Sequence, residues 1–217
     1  MMKKLGIFDL DGTVLDTVGT IAYYGNLSLE KNGVEPIAVK EYNYLAGEGA
    51  RVLVKNMLNF RNCYTPELWE KVYADYMAAY DSAPTRGTSV FEGLLEVLDT
   101  MKADGMRLAI VSNKPDPAAK AAIAAFYGEG YFEPVVGQTD GVPLKPDPTA
   151  VFGVMRELGV TAEECIYVGD TSTDMLTGKN AGIFTVGVLW GFRGREELLQ
   201  NGADVLCSEP SELLKYL

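Results

Sequence analysis

Three segments of the chain end a short apolar run on side chains that can do chemistry. Phe8-Asp-Leu-Asp-Gly-Thr13 supplies Asp9 and Asp11, Val111-Ser-Asn-Lys114 supplies Ser112 and Asn113, and Gly169-Asp-Thr-Ser-Thr-Asp174 supplies Asp170 and Asp174. A fourth segment, Leu144-Lys-Pro-Asp-Pro148, places Lys145 just ahead of a helix start. Brought to one edge, these residues make a cluster of four carboxylates, an amine and a hydroxyl. Like charges about 4 Å apart repel by roughly 4 kcal/mol at an effective dielectric of 20, so such a cluster calls for a cation. Oxygen ligands without His or Cys favour Mg²⁺, which binds one or two carboxylates together with a phosphate oxygen. The chemistry expected is therefore phosphoryl transfer to or from a small phosphorylated metabolite. A carboxylate beside Mg²⁺ can attack phosphorus and form an aspartyl-phosphate. A second carboxylate two positions on can protonate the leaving oxygen and later take a proton from water. Asp9 and Asp11 have that spacing. In extended chain they would face opposite ways, but a strand ending at Asp9 and a turn at Gly12 lets both face one phosphate.

The elements that must position these residues are legible as alternating patterns. Leu5-Gly-Ile-Phe8, Met106–Ser112, Cys165–Gly169 and Ile183–Val188 read as buried strands, bounded by Gly, Asn or Asp. Leu94, Leu95, Leu98 and Met101 fall at helical spacing, as do Val151, Phe152, Met155 and Leu158. Asp116-Pro117 and Asp147-Pro148 each read as a capping carboxylate before a first-turn proline. This alternation predicts an α/β fold, a Rossmann-like parallel sheet covered by helices on both faces. In such a sheet ligands bind beyond the carboxyl ends of the strands, where the chemical residues have been found. Residues 17–84 contain no clear strand; Leu68, Val72, Tyr76 and Tyr80 line a helical stripe that Trp69, Tyr73 and Met77 widen. The expected organisation is a core domain of residues 1–16 and 85–217 interrupted by an all-helical cap domain, 17–84. The connections fall near Val14–Thr17 and near Ser82-Ala-Pro-Thr-Arg-Gly87.

Composition narrows the setting. The 217 residues are 47% hydrophobic and 23% charged, which excludes disorder and collagen-like repeats. A net charge of −11 with no basic cluster argues against nucleic acid and anionic membrane partners. Apolar runs are strand-sized, far short of the roughly 20 residues of a membrane helix. The run after Met1-Met-Lys-Lys4 is also too short for a signal peptide. Cys63, Cys165 and Cys207 suit reduced thiols, so the expected location is cytoplasmic. Histidine is absent, which excludes Ser-His-Asp triads, Cys-His pairs and imidazole metal sites. Monomer and homodimer both remain open.

Asp9-Leu-Asp-Gly-Thr13, Ser112-Asn113, Lys145-Pro146 and Gly169-Asp170 with Asp174 resemble, in order and spacing, the four motifs of the haloacid dehalogenase superfamily. Asp9-Leu-Asp-Gly-Thr-Val-Leu-Asp16, Ser112-Asn-Lys-Pro115, Lys145-Pro-Asp-Pro148 and Val186-Gly-Val-Leu-Trp-Gly191 look most like the phosphoglycolate phosphatase-like branch, with a helical cap after the first motif. The resemblance implies a phosphatase acting on a 2-phosphoglycolate-like ester. It makes Asp9 the nucleophile and a metal ligand, and Asp11 the general acid and base, offering its backbone carbonyl to the metal. Asp170 becomes the third protein ligand, with Asp174 behind it holding metal-bound water or Lys145. Thr13, Ser112, the backbone near Asn113, and Lys145 would hold or neutralise the phosphoryl group. The dehalogenases themselves resemble this chain but lack the acid that stands here as Asp11. A β-phosphoglucomutase-like mutase or an inorganic pyrophosphatase would share the same motifs. A phospho-accepting receiver domain also clusters acids and a lysine, but such domains are shorter and their acceptor follows a middle strand.

Each residue also has an ordinary structural reading: Ser112 and Asn113 as strand-end or turn residues, Asp16 and Thr171 as helix caps, the Tyr-rich stripe as cap core. In Leu45-Ala-Gly-Glu-Gly-Ala-Arg51, Glu48, Gly49 and Arg51 are candidate substrate contacts from the cap. Arg51 is either a bidentate partner for a substrate carboxylate or a surface ion pair. Lys114 either touches the substrate or covers the phosphate electrostatically.

Overall fold

Short runs of Val, Ile, Leu and Phe build the sheet, and longer 3.6-periodic runs build the helices around it. The computed structural model describes residues 3–82 and 85–217. In chain order the elements begin with β1 (Leu5–Phe8), β2 (Leu15–Asp16), α1 (Val18–Lys31), α2 (Tyr42–Leu45), α3 (Ala50–Phe60), α4 (Pro66–Ser82), β3 (Ser89–Val90) and α5 (Leu94–Ala103). They continue with β4 (Arg107–Pro115), α6 (Asp116–Tyr127), β5 (Val135–Gln138), α7 (Thr149–Leu158), β6 (Cys165–Gly169), α8 (Ser172–Ala181), β7 (Phe184–Val188), α9 (Arg195–Gln200) and β8 (Val205–Cys207).

Among the described residues six strands form one parallel sheet in the order β5-β4-β1-β6-β7-β8. The central strand β1 is buried throughout, with Ile7 level with Ala109 of β4 and Tyr167 of β6. Its alternate residues face opposite ways. Phe8 joins Leu94, Leu98 and Met101 of α5 and Ile123 of α6 in one apolar cluster, while Leu5 and Ile7 join Val151 and Val154 of α7 in another. Helices on both faces make a continuously apolar strand the stable choice.

The helical segment packs as a body of its own around Ile21, Tyr24 and Leu29 of α1, Leu53 and Met57 of α3, and Val72, Tyr76 and Tyr80 of α4. The same apolar cluster takes in Ala118 of α6 and Phe192, so the helices sit on the edge of the sheet domain. The two chain crossings are clasped by an antiparallel ribbon in which Leu15 pairs with Val90 and Asp16 with Ser89. Thr20 donates to the Arg86 carbonyl at 2.6 Å across the same junction. Residues 83 and 84 of the second expected connection, and Met1 and Met2 at the start of the sequence, lie outside the described residues.

Several local expectations are corrected. Asp16 is a ribbon residue and not a helix cap; Thr17 holds the N-cap position of α1 without a side-chain bond. Asp116 begins α6 and accepts instead from the Gly137 N–H of the next strand at 3.0 Å. Asp147 does serve the start of α7, accepting from the Thr149 N–H at 2.9 Å. Leu95 and Phe152, at helical spacing with core residues, are exposed. The edge strands β5 and β8 and the ribbon were not evident in the sequence: each is only two to four residues long and, unlike the equally short β1, none is buried throughout. Cys63, Cys165 and Cys207 form no disulfide. Among the described residues no helix is long and apolar enough to cross a membrane.

Phe8 is fully buried on the central strand and meets the Phe132 ring edge-on with centroids 6.1 Å apart. Phe8→Ala leaves a cavity there and is expected to cost about 3–5 kcal/mol of stability, measured by denaturant unfolding.

Candidate active site

Because β4, β1 and β6 are neighbours in the sheet, whatever follows each of them meets at one edge. Asp9 follows β1 directly and its N–H donates to the Val168 carbonyl of β6 at 2.9 Å, which extends the strand pairing by one residue. The chain then turns at Gly12, whose φ of 83° lies in the left-handed region. A side chain at Gly12 would also meet Asp170 Oδ2 at 2.2 Å, so glycine is required both for the turn and for the approach of the acid. This turn lets Asp9 and Asp11 face the same cleft while Leu10 between them is fully buried.

Lys145 ties the acids together. Its ammonium donates to Asp9 Oδ1 and to Asp174 Oδ1, each at 2.7 Å, and its side chain is only 4% exposed. Carboxylate oxygens of Asp9, Asp170 and Asp174 all lie within 4.8 Å of one another. Asp170 is held by the Thr13 hydroxyl at 2.9 Å and the Phe192 N–H at 2.7 Å. Asp174 accepts from the Thr171 N–H at 3.0 Å and the Thr171 hydroxyl at 2.6 Å, closing a capping box at the start of α8. Asn113 straps two motif segments together: its Oδ1 accepts from the Lys145 N–H at 2.9 Å and its Nδ2 donates to the Lys145 carbonyl at 3.3 Å.

The electrostatics follow from burial. Desolvation, and then the charge of Asp174, push the Asp9 carboxyl up to about 7 despite the opposing pull of Lys145. Asp170 is raised well above the ordinary carboxylate range by burial and by its acidic neighbours. Burial pulls the Lys145 ammonium down, but Asp174 and Asp9 overcome it and hold the ammonium above its ordinary value. The cluster has more buried negative charge than one ammonium can balance, and a hard cation would supply the difference.

Of the expected residues, Asp9, Asp170, Asp174 and Lys145 come together directly, with Asp11, Ser112 and Asn113 lining the adjoining cleft. The Asp11 carboxylate lies outside the three-acid cluster and is bound by Lys114, at 2.9 and 3.1 Å. The Thr13 hydroxyl is engaged by Asp170, so it supports an acid before it supports a phosphate. In the cap, Gly49 lines the cleft and starts α3 with φ 88°; a side chain there would stand 3.2 Å from the Asn113 carbonyl. Glu48 and Arg51 are exposed and do not line it. The Arg51 guanidinium lies over the rings of Tyr73 and Trp69, with centroids at 4.9 and 5.6 Å. The Tyr stripe proves to be more than cap core, since Tyr76, Met77 and Tyr80 form a wall of the cleft. Trp190 and Phe192 were not singled out in the sequence; they hold the first motif through Trp190 Nε1 to the Thr13 carbonyl at 3.1 Å and the Phe192 N–H to Asp170. The sequence signals for them were the position of their segment after the strand β7 and, for Trp190, its place in the Val186-Gly-Val-Leu-Trp-Gly191 segment that carries the family resemblance.

The sequence model of haloacid dehalogenase-like hydrolases matches residues 6–188. The chain belongs to the haloacid dehalogenase-like hydrolases. Among curated relatives of this hydrolase, a phosphoglycolate phosphatase of Aquifex aeolicus is 32% identical over 213 residues, covering 97% of this chain and 95% of that one. A phosphoglycolate phosphatase of Colwellia psychrerythraea is 29% identical, covering 98% and 96%. A crystal structure from Lactobacillus delbrueckii subsp. bulgaricus superposes with a TM-score of 0.93 at 27% identity, covering 98% of this chain and 97% of that one. With the acid–lysine cluster in place, this haloacid dehalogenase-like hydrolase is a phosphatase, a phosphoric monoester hydrolase.

Asp9 has its carboxyl raised from 3.8 to about 7, so the metal-free folded state binds a proton there that the unfolded chain releases. That contribution to stability is complete below pH about 4 and is lost as pH rises through about 7. EDTA-treated protein is therefore expected to lose thermal stability across this window, and Mg²⁺ to raise Tm more at pH 8 than at pH 5. Asp9→Asn should flatten both trends, as melting curves with and without metal would show.

Proposed function

We propose that the chain is a Mg²⁺-dependent phosphatase that hydrolyses a small phosphomonoester, 2-phosphoglycolate or a close relative, through an aspartyl-phosphate on Asp9. The observation that carries this is the single ammonium of Lys145 held between Asp9 and Asp174, 2.7 Å from each, with Asp170 beside them.

The donor set fits Mg²⁺: buried carboxylates, no nitrogen or sulfur ligand, and a cradle at Gly12 and Gly191 where any side chain would collide with Asp170. Asp9, Asp170 and the Asp11 carbonyl would hold the ion, because Asp174 is already engaged by Lys145 and Thr171. When bound, Mg²⁺ supplies charge neutralisation for the acids and polarises the phosphoryl oxygens.

The chain's own residues then divide the work. Asp9 Oδ1 is bonded to Lys145, which fixes the carboxylate and leaves Oδ2 to attack phosphorus. The new Oδ2–P bond forms as the P–O bond to the leaving group breaks, and Asp11 gives its proton to the departing oxygen. In the second half Asp11 takes a proton from water, the water oxygen bonds phosphorus, and the P–O bond to Asp9 breaks. Inorganic phosphate leaves and Asp9 is restored. Ser112 and the backbone around Asn113 hold the phosphoryl oxygens, and the cap roofs the cleft against bulk water. A roofed cleft suits a metabolite, and the free cysteines suit a cytoplasmic setting.

Phosphate release from 2-phosphoglycolate, hexose phosphates, nucleotides, pyrophosphate and an aryl phosphate tests the reading. Release is expected with Mg²⁺, absent with EDTA, and lowered about 10,000-fold or more by Asp9→Asn. Metal-independent release, or turnover that survives Asp9→Asn, would overturn it. Conversion of a hexose 1-phosphate without net phosphate release would point to a mutase, and a marked preference for pyrophosphate to a pyrophosphatase.

A further inference from the structure

We infer that Lys114 is the specificity-determining cation of the cleft, and that it selects esters carrying a carboxylate beside the phosphate; this rests on the phosphatase reading above. The inference begins with where positive charge stands. Lys145 is clamped between two acids, 2.7 Å from each. Arg51, the cap residue whose fork chemistry suits a carboxylate, lies exposed over Tyr73 and Trp69 and does not line the cleft. Arg193 stands behind the cleft-lining Ala46 and does not itself line the cleft: its Nη2 donates to the Ala46 carbonyl at 2.9 Å, its Nε pairs with Glu197 at 3.2 Å, and its Nη1 is buried without a hydrogen-bond partner. Among the described residues that line the cleft, Lys114 is the one cationic side chain.

Its position suits the task. Lys114 follows Ser112 by two residues at the irregular end of β4, its N–H donates to Ser112 Oγ at 3.3 Å, and both residues line the cleft. A group held by Lys114 is therefore the near neighbour of a phosphoryl group held by Ser112, the separation of anions in a short phosphorylated acid. Only 5% of the Lys114 side chain is exposed, and the cap closes over it with the Tyr80 ring at 4.7 Å from Nζ. Of the other walls, Ile21, Leu53 and Met77 offer a carboxylate no donor, and Tyr76 and Tyr80 offer only neutral hydroxyls, so Lys114 is the one charged partner there. An ammonium has three N–H donors, and Asp11 engages Nζ through its two oxygens, which leaves capacity for a second carboxylate. In a water-poor cleft such a charge-assisted bond discriminates strongly against a neutral group.

The test compares kcat/KM for 2-phosphoglycolate and for 2-hydroxyethyl phosphate, which replaces the carboxylate by a neutral alcohol. The unaltered chain is expected to favour the carboxylate by about 10–100-fold. Lys114→Met should bring the ratio near one, whereas Arg51→Ala should keep it. Equal loss on both esters in Lys114→Met would mean that the lysine only positions Asp11, and would overturn the inference. A second measurement needs no variant: glycolate should inhibit aryl phosphate hydrolysis at least about tenfold more strongly than ethylene glycol does, and equal inhibition would overturn the inference. Metal-dependent aryl phosphate hydrolysis abolished by Asp9→Asn, without any carboxylate preference, would sink this inference alone. No hydrolysis of any ester would sink the phosphatase reading with it.

Discussion

Four carboxylates meeting at one edge of a parallel sheet repel one another, and the rest of the molecule is arranged around that repulsion. Asp9, Asp170 and Asp174 are buried, where charge is least tolerated, and burial drives the first two toward their protonated forms. Two buried ammonium groups answer the negative charge: Lys145 among the three acids and Lys114 on Asp11. The backbone answers the remainder through N–H groups at Thr171 and Phe192. What these donors leave unbalanced is the charge that the proposed divalent cation would neutralise.

The sheet makes this gathering possible because its three central strands deliver their carboxyl ends to adjacent positions. Each loop then solves a local problem. Gly12 turns the first motif without a side chain that would strike Asp170, and Gly169 clears room for Asp174, whose Cβ would lie 2.2 Å from a side chain there. The cap adds what the sheet lacks: an apolar roof that lowers the local dielectric around the reacting groups and a wall that faces the substrate's other end. On the proposed function, the core handles the phosphoryl group and the boundary between core and cap handles specificity.

Asp9, Ser112 and Asp170 were legible in the sequence because each stands at the end of a short apolar run, and Lys145 and Asp174 because each stands at or just ahead of a legible helix start, so residue type and topology together point to one edge. Asp9, Lys145, Asp170 and Asp174 needed no knowledge of the cap. The cap contacts were not legible for the complementary reason. Helical spacing tells which residues share a face, but not which of two surfaces that face meets. Tyr76 and Tyr80 read as core and are core, yet the same face also walls the cleft. Arg51 had the right chemistry and the right neighbourhood in the chain, but α3 carries it to the outer side, where two aromatic rings hold it. Lys114 was left between two readings; only its distance to Asp11 and the ring of Tyr80 show what surrounds it. The ribbon of β2 and β3 and the edge strands β5 and β8 are short and, unlike β1, not buried throughout.

The central claim is that Asp9 takes the phosphoryl group and Asp11 moves the protons. Asp11→Asn, mixed with Mg²⁺ and an aryl phosphate whose leaving group needs little protonation, tests it most directly by intact-mass and peptide-level mass spectrometry. The account predicts accumulation of one phosphoryl group on the peptide that contains Asp9, with steady turnover largely lost. Full turnover with no adduct, or an adduct on any other residue, would contradict it.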